Sequence, residues 1–344
     1  MRLAGLPEEC LYIGRPAPTR DFVLAIDPQA ATYSEAEWLL AGALAVHTVV
    51  DRPTPADAEA IDALVLLTGA TRVVSLGSGL VIDAAKLCVH TRHARVGTVL
   101  RHVTVPCGPE PYRAVTPFTM YDAVPGARGV EWEDWLIPAE VAIVPELLAR
   151  LDPSVVALFA GDSAVHAVES LLSTRSNAES EPRAIAAAQA FVEEAASNEP
   201  NRVRLVVASL EAALAFDTTK LGLAHALSRP LGIATGISHD GYNLALGAPM
   251  VRFWGDEVIR RSPLARVTSS TPSAEWWACL LDGYRARAGL PANLKGVGLD
   301  DSAVAAAIEW APNSSGIPGL PRPLADGDLE RLMDDAWSGT RPAL

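Results

Sequence analysis

Cysteine is scarce in this chain, and no two cysteines have the CxxC spacing of a redox or zinc motif. Only four are present, Cys10, Cys88, Cys107 and Cys279. Scattered single cysteines are typical of a protein that is kept reduced inside the cell, and they are not a disulfide framework. The sequence therefore predicts a cytoplasmic protein with free thiols.

Long apolar runs are also lacking. The first ten residues, MRLAGLPEEC, contain no apolar segment of the length that a signal peptide needs. No uninterrupted apolar stretch elsewhere reaches the length of a transmembrane helix. We therefore expect neither a signal peptide nor a membrane span.

Basic residues are in the minority. The 28 Lys and Arg face 41 Asp and Glu, so the formal net charge is −13 and the isoelectric point is about 5.0. Nucleic acids and anionic membrane surfaces attract basic patches, so neither is expected as the main partner. A small-molecule or peptide substrate stays compatible with this charge, even an anionic one, because a single arginine can set the local sign.

Apolar sequence is abundant enough for about two domains, since 49% of the 344 residues are hydrophobic. In the first 150 residues, short apolar runs alternate with helical segments, which predicts an α/β domain with a parallel, Rossmann-like sheet. Ser34 and Glu37 have the spacing of a capping box at the first helix. The predicted strands are Phe22–Ile26, 45–50, 72–76, 103–105, 115–121 and 141–144, and the predicted helices are 34–44 and 56–68.

From residue 151 onward the apolar pattern is almost wholly helical. Leu151-Asp152-Pro153 has the composition of a boundary, because a proline there disfavours a continuous helix. The sequence therefore predicts an α/β domain over residues 1–150 that binds a dinucleotide, and an all-helical domain over residues 151–344 that binds a metal.

Two glycines follow the third predicted strand in the stretch Gly77-Ser78-Gly79, immediately before a helical segment. Such a loop lets the backbone approach a phosphate closely, and the N–H groups at the helix start face the anion. Glycines at this point also serve turn geometry alone. After a parallel strand, a nucleotide pyrophosphate is the favoured interpretation.

Four side chains in the helical half form a candidate metal site: Asp162, His166, His225 and His239. Asp162 and His166 are four residues apart and share one helix face. His225 lies in a second apolar segment, and His239 follows a Pro-Leu-Gly stretch where we expect a helix to have ended. One carboxylate and three imidazoles suit Zn²⁺ or Fe²⁺. The alternative is a set of ordinary core histidines and a local Asp–His hydrogen bond.

The motifs resemble the iron-containing alcohol dehydrogenases, which are related in fold to dehydroquinate synthase. The matching stretches, in chain order, are GSGLVIDAAK, VPCGPEPYRAVTPF, GDSAVHAVES, LAHALSRPLG, ISHDGYNLAL and PRPLADGDLERLMDDAW. The resemblance implies Asp162, His166, His225 and His239 as ligands of one divalent metal, Fe²⁺ or Zn²⁺. It also implies NAD(H) or NADP(H) as cofactor, bound at Asp27, Gly77, Ser78, Gly79, Asp83, Cys107 and Gly108.

The chain departs from that family at several of these positions. The glycine motif reads Gly77-Ser78-Gly79-Leu80, Cys107 and Gly108 replace paired threonines, and residues 110–114 read EPYRA where the family has GTGSE. Arg229 replaces a histidine. Arginine stays protonated and holds carboxylates through two hydrogen bonds, so Arg229 is the candidate catalytic-site residue for an anionic substrate group, with Arg113 as a second candidate.

The predicted activity is a metal-dependent, NAD(P)-linked oxidation of a secondary alcohol or hydroxy acid. Divergent members from daptide-type peptide-tailoring clusters resemble this chain and suggest decarboxylation of a C-terminal threonine as a further step. A non-redox lyase or cyclase of the dehydroquinate synthase type, a non-heme iron oxygenase and a non-catalytic partner are the alternatives. A homodimer or an accessory protein is the expected assembly.

Overall fold

The computed structural model describes residues 10–16, 19–124, 127–235, 239–270, 272–297 and 299–339, with the backbone alone for residues 233–235. The chain divides into two compact units, Met1–Asp152 and Pro153–Leu344. The predicted domain boundary lies two residues earlier, between residues 150 and 151.

The N-terminal unit contains a six-stranded sheet in which every pair of neighbours is parallel. The strand order is β1-β8-β5-β4-β2-β3, and β6 and β7 form a separate antiparallel hairpin. The strands are β1 Leu11–Ile13, β2 Phe22–Ile26, β3 Ala45–Thr48, β4 Arg72–Gly77, β5 Arg101–Pro106, β6 Phe118–Val124, β7 Ala127–Trp132 and β8 Glu140–Ile143. The helices of this unit are α1 Glu37–Gly42, α2 Pro55–Thr68, α3 Gly79–Val96 and α4 Pro145–Leu148.

The C-terminal unit is helical throughout the residues that the structure describes. Its helices are α5 Pro153–Leu172, α6 Ser180–Ala195, α7 Arg202–Thr219, α8 Leu223–Thr235, α9 His239–Arg261, α10 Ala274–Arg287, α11 Asp301–Trp310 and α12 Asp328–Ser338. Short 3₁₀ helices in the two units are Ala30–Thr32, Ser34–Ala36, Pro111–Val115, Asp134–Leu136, Pro263–Arg266, Leu294–Val297, Ala311–Asn313 and Ile317–Gly319. The predicted fold class, a parallel α/β domain followed by an all-helical one, is confirmed.

Helix α5 is the core of the C-terminal unit and packs against α6, α7, α9 and α10. By length and hydropathy it is the one described helix that would pass as a membrane span, and 89% of its apolar window is buried inside the protein. A core helix of this kind is apolar on all sides because it contacts protein on all sides. Its burial explains the hydropathy without a membrane.

The parallel register brings three loops together at the carboxyl edge of the sheet. Ile26 pairs with Leu76, and Gly77 pairs with Pro106. The residues that follow β2, β4 and β5 are therefore neighbours. This edge is where nucleotides bind in sheets of this type.

Local capping differs from the prediction at the first helix. Ser34 lies in a 3₁₀ turn and its hydroxyl donates to Glu35, so the predicted Ser34–Glu37 capping box is wrong. The capping box lies at α2 instead, where Thr54 and Asp57 bond each other's backbone N–H groups. Proline at the first position of α2 fixes the helix start there.

One strand prediction also changes, and two strands were not predicted. The predicted strand 115–121 begins later, at Phe118, and pairs with β7 outside the main sheet. β1 and β7 had no counterpart in the prediction, since three residues of β1 give no periodicity and β7 is mostly solvent-exposed. β1 pairs with β8, which is distant in the sequence, and β7 pairs with β6 in an antiparallel hairpin. The local sequence pattern does not predict either pairing.

Lys86 is fully buried in α3 and ties that helix to the segment before β6. Its Nζ donates to the carbonyl oxygens of Arg113 and Thr116, each at 2.6 Å, and of Phe118 at 3.1 Å. Burial lowers the pKa of Lys86 to about 7. The Lys86 amine is thus a shared donor to three carbonyls, of which that of Arg113 also accepts from the Thr116 hydroxyl at 3.3 Å.

Replacing Lys86 with Met should loosen the N-terminal unit. The substitution keeps most of the side-chain volume and leaves buried carbonyls unpaired, at about 3 kcal/mol of local stability. Hydrogen exchange of β5 and β6 peptides, read by mass spectrometry, should show correspondingly faster opening. The exposed Lys295 provides the control: Lys295→Met should leave this exchange unchanged, and equal exchange in both variants would contradict the role of Lys86.

Candidate metal centre and glycine loop

Two of the predicted metal ligands lie one turn apart on α5. Asp162 and His166 are both buried, and Asp162 Oδ2 is 3.7 Å from His166 Nε2. Helix α8 brings His225 to the same place, so that one ligand atom from each of the three residues lies within 4.8 Å of the others. The Asp162–His166 pair on α5 therefore lies beside a third potential ligand, His225, from a second helix.

The histidine rings are in contact with one another. The rings of His166 and His225 stack at 4.5 Å between centroids, and the ring of His239 lies 5.3 Å from that of His225. The Pro-Leu-Gly stretch, residues 230–232, lies inside α8, and His239 is the first residue of α9. The expectation that a helix ends at this stretch is therefore wrong. His239 is outside the group of three ligand atoms within 4.8 Å.

Asn243 links His239 to Asp162 and His225. Its Nδ2 lies 2.8 Å from Asp162 Oδ1, 2.6 Å from His225 Nε2 and 3.0 Å from His239 Nε2. Its amide oxygen accepts from the Ser228 hydroxyl. An amide has two hydrogens and here meets three acceptors, so the acceptors converge on one point. Ligand atoms of Asp162, His225 and His239, from α5, α8 and α9, thus lie within 3.0 Å of one amide nitrogen, and His166 belongs to the group of three with Asp162 and His225.

Glu169 holds His225 from the opposite side. Its Oε2 lies 2.6 Å from His225 Nδ1, and its two oxygens also accept from the N–H groups of Gly222 and Ala224 at 2.8 and 2.7 Å. Gly222 approaches so closely that a Cβ there would lie 2.9 Å from the Glu169 carboxyl carbon. With Nδ1–H donated to the carboxylate, the lone pair of His225 Nε2 faces the centre.

The donor set fits a divalent transition metal. Imidazole nitrogens with one carboxylate oxygen are the ligands of zinc and of non-heme ferrous iron, and the buried carboxylate supplies charge for a cation. A carboxylate that orients a ligand histidine is a regular companion of such sites. Asp162, His166, His225 and His239 are the residues that would hold the ion.

Arg229 lies four residues after His225 on α8, one helical turn along the same face. Its guanidinium carbon is 5.7 Å from the centre of the Trp310 ring. The side chain is half-buried. The structure therefore places the predicted anion anchor beside the metal-ligand helix face, packed on an aromatic ring.

In the N-terminal unit, Gly77 adopts a φ of 144°, a backbone region that favours glycine. A Cβ at this position would lie 2.2 Å from Asp27 Oδ2. Asp27 accepts from the N–H groups of Ser78 at 3.0 Å and Ala30 at 2.7 Å. Burial raises the pKa of Asp27, and these N–H groups partly offset it. The predicted cofactor residue Asp27 thus bonds the glycine loop itself.

Cys107 and Gly108 lie against the same loop. The N–H of Cys107 donates to the carbonyl of Gly77 at 2.8 Å, and a Cβ on Gly108 would lie 3.0 Å from the Cα of Ser78. Burial raises the pKa of the Cys107 thiol to about 12, and Asp27 adds to this effect. Cys107 is therefore a protonated, inert thiol at neutral pH.

Asp83, the remaining predicted cofactor residue, is buried in an ion pair. Its Oδ2 lies 3.2 Å from the Nη1 of Arg113, which is also buried. Burial raises the pKa of Asp83 to about 6, against the opposing effects of Arg113 and Lys86. The predicted anion-binding Arg113 is thus engaged by the protein's own carboxylates.

Two residues of the metal centre, Glu169 and Asn243, are absent from the sequence prediction. Helical spacing carries a signal for both: Glu169 follows His166 by three residues and Asn243 follows His239 by four. Each therefore lies on the same helix face as a predicted ligand. That face identifies candidates but not which of them contacts a histidine.

Comparison with known proteins gives a consistent result. No protein-family model matches the chain. A curated relative, long-chain-alcohol dehydrogenase 1 of Geobacillus thermodenitrificans (strain NG80-2), is 28% identical over 233 residues. The match covers 62% of this chain and 58% of that enzyme, so it spans less than two thirds of the relative's length.

Solved structures match over almost the whole chain. Sulfoacetaldehyde reductase from Bifidobacterium kashiwanohense, in complex with NAD⁺, superimposes with a TM-score of 0.80 at 20% identity, covering 98% of this chain and 100% of that one. An iron-containing alcohol dehydrogenase from Corynebacterium glutamicum ATCC 13032 gives a TM-score of 0.80 at 18% identity, covering 98% and 96%. The chain therefore has the fold of the iron-containing alcohol dehydrogenase structures.

Proposed function

We propose that this protein is a metal-dependent oxidoreductase that interconverts a secondary alcohol or hydroxy acid and the corresponding carbonyl compound. The observation that carries the proposal is the buried group of Asp162, His166 and His225, whose ligand atoms lie within 4.8 Å of one another, with His239 linked to Asp162 and His225 through the Asn243 amide. The named relatives, which are alcohol dehydrogenases and a reductase, support the same class of reaction.

A divalent ion bound there would act as a Lewis acid that polarises a hydroxyl or carbonyl oxygen. The protein's part is positional. Glu169 holds His225 with Nε2 toward the centre, and Asn243 contacts Asp162, His225 and His239 through one amide group. Because the side chains around the site are buried, little water reaches it, and charge interactions with the substrate oxygen are stronger there than in solvent.

Arg229 supports a hydroxy acid as the substrate, since it lies one turn from His225 and holds a permanent charge. Oxidation of a β-hydroxy acid would give the β-keto acid, with the hydride of the carbinol carbon passing to an oxidised nicotinamide and the hydroxyl proton passing to solvent. Loss of CO₂ then breaks the bond from the α-carbon to the carboxylate. The electron pair passes to the carbonyl as an enolate, which takes up a proton to give a ketone. A peptide ending in threonine is one acid of this kind, and tailoring of such a peptide is the more specific proposal.

The hydride carrier that the fold implies is NAD(H) or NADP(H). The glycine loop does not fit its diphosphate, because the N–H groups of Ser78 and Gly79 already bond Asp27 and Pro109, and the Glu110 carboxylate lies beside Gly79. This contact favours a second candidate function. In it, the protein supplies the metal site to a complex, and another protein of that complex binds the dinucleotide. The metal and the dinucleotide are therefore best tested separately.

The metal function is testable without a dinucleotide. Protein loaded with Co²⁺ should show visible absorption bands of a four- or five-coordinate N/O site, and a secondary alcohol or hydroxy acid should shift them. Titration with propan-2-ol and with 3-hydroxybutyrate, at equal ionic strength, measures the shift. Bands typical of hexaaqua Co²⁺, or a spectrum that neither compound changes, would contradict the proposal.

Glu169→Gln should weaken metal binding by about tenfold to a hundredfold. The amide no longer accepts from both backbone N–H groups and His225 at once, so the imidazole loses its fixed orientation. Competition with a chromophoric chelator measures the affinity for Zn²⁺. Glu199→Gln, at an exposed glutamate of the same unit, is the matched control and should bind as the wild type does. An unchanged Glu169→Gln affinity would show that Glu169 has no part in the metal site.

Arg229→Leu should weaken 3-hydroxybutyrate binding to the Co²⁺-loaded protein by about tenfold to a hundredfold, the loss expected when a charged hydrogen bond is removed. Propan-2-ol binding should not change, because it has no carboxylate. The exposed Arg260 supplies the control Arg260→Leu. Equal losses for the acid and the alcohol would make Arg229 a structural residue and not an anion anchor.

A further inference from the structure

The start of α3 follows the glycine loop and has the features that attract an anion in sheets of this type. Helix N-termini carry a partial positive charge and free N–H groups. In this chain both loop N–H groups have acceptors within the protein. Ser78 donates to Asp27 Oδ2 at 3.0 Å, and Gly79 donates to the carbonyl of Pro109 at 2.8 Å.

The next residue after Pro109 brings a carboxylate to the same point. Glu110 adopts a left-handed backbone, with φ 55° and ψ 46°, which is rare for residues other than glycine, asparagine and aspartate. This conformation turns its side chain onto the helix start. A Cβ on Gly79 would lie 2.6 Å from Glu110 Cβ and 2.7 Å from Glu110 Oε2. Only a glycine at position 79 leaves room for it.

The carboxylate is held there by two donors. Glu110 Oε1 accepts from the Tyr112 hydroxyl at 3.3 Å and lies 3.3 Å from Arg113 Nη2. The Arg113 guanidinium also pairs with Asp83. Burial tends to lower the pKa of Arg113, but Asp83 and Glu110 outweigh burial and raise it well above its usual value. Arg113 is therefore charged and paired with two of the protein's own carboxylates.

We propose that Glu110 is an internal anion that occupies the phosphate position of the glycine loop, so that this protein does not hold a dinucleotide diphosphate there. A diphosphate at the loop would meet a fixed carboxylate, and like charges in a buried place repel strongly. The nearby arginine gives no compensation, since both of its ion pairs are with the protein's own acids. The inference concerns the N-terminal unit alone and is independent of the proposed metal function.

The test is a titration of the full-length, metal-loaded protein with NADH and with NADPH, followed by nicotinamide fluorescence and by calorimetry. Wild type should show no saturable binding up to millimolar dinucleotide. Glu110→Gly removes both charge and bulk at a backbone conformation that glycine prefers, and it should bind at least tenfold tighter than wild type. Glu59→Gln, at an exposed glutamate of α2, controls for the loss of one negative charge and should bind no better.

Glu110→Gln removes the charge and keeps the side-chain size, so it separates the effect of charge from that of bulk. It also replaces the glycine variant in the test if circular dichroism shows that the glycine variant does not fold. A gain in either Glu110 variant alone supports the proposal. Micromolar binding by wild type, or density for a diphosphate at Gly77–Gly79 in crystals grown with NADH, overturns it. No gain in either folded variant overturns it as well. Metal content and the Co²⁺ spectrum of the same samples report the metal function separately, so its failure is distinguishable.

Discussion

The contact between Glu169 and His225 is the interaction on which the C-terminal unit's chemistry depends. A single carboxylate on the core helix α5 fixes both the ring of His225 and the backbone that starts α8, through Gly222 and Ala224. The entry of α8 is therefore set by the same helix that carries Asp162 and His166. The position of His225 relative to Asp162 and His166 therefore depends on one carboxylate of α5 and on the segment at the start of α8 that it bonds.

Buried charge is handled differently in the two units. Around His225 the acidic groups face imidazoles, which suits an added cation. At the glycine loop, Asp27 bonds backbone N–H groups, and Glu110 and Asp83 both pair with Arg113. In that second cluster each of the three acids already has an N–H donor or a cationic partner within the protein. The first cluster would accommodate an added positive charge, whereas an added negative charge would lie beside the carboxylates of the second.

Much of this was predictable from the sequence. The alternation of apolar runs predicts the parallel sheet because buried strands and crossover helices leave strong periodic patterns, and the spacing of Asp162 and His166 places both on one face of α5. The meeting of α5 with α8 and α9 was not predictable from spacing, since it depends on tertiary packing. The residue types made His225 and His239 candidates, and only the resemblance to a known family assigned them to the same metal as Asp162 and His166. The start of α9 at His239 was missed because capping is decided within one or two residues.

Glu110 shows why a residue that aligns with a family motif does not necessarily have the function of that motif. The sequence shows that an acidic residue stands where the resembling family has glycine, but not which way its side chain points. The direction follows from a left-handed backbone that glycine adopts freely and that the loop retains here. Once the backbone keeps the glycine conformation, the added Cβ and carboxylate have to project onto Gly79, where an anion binds in other folds of this type. The fold that makes a phosphate site from glycines therefore makes an internal anion site when one of those glycines becomes glutamate.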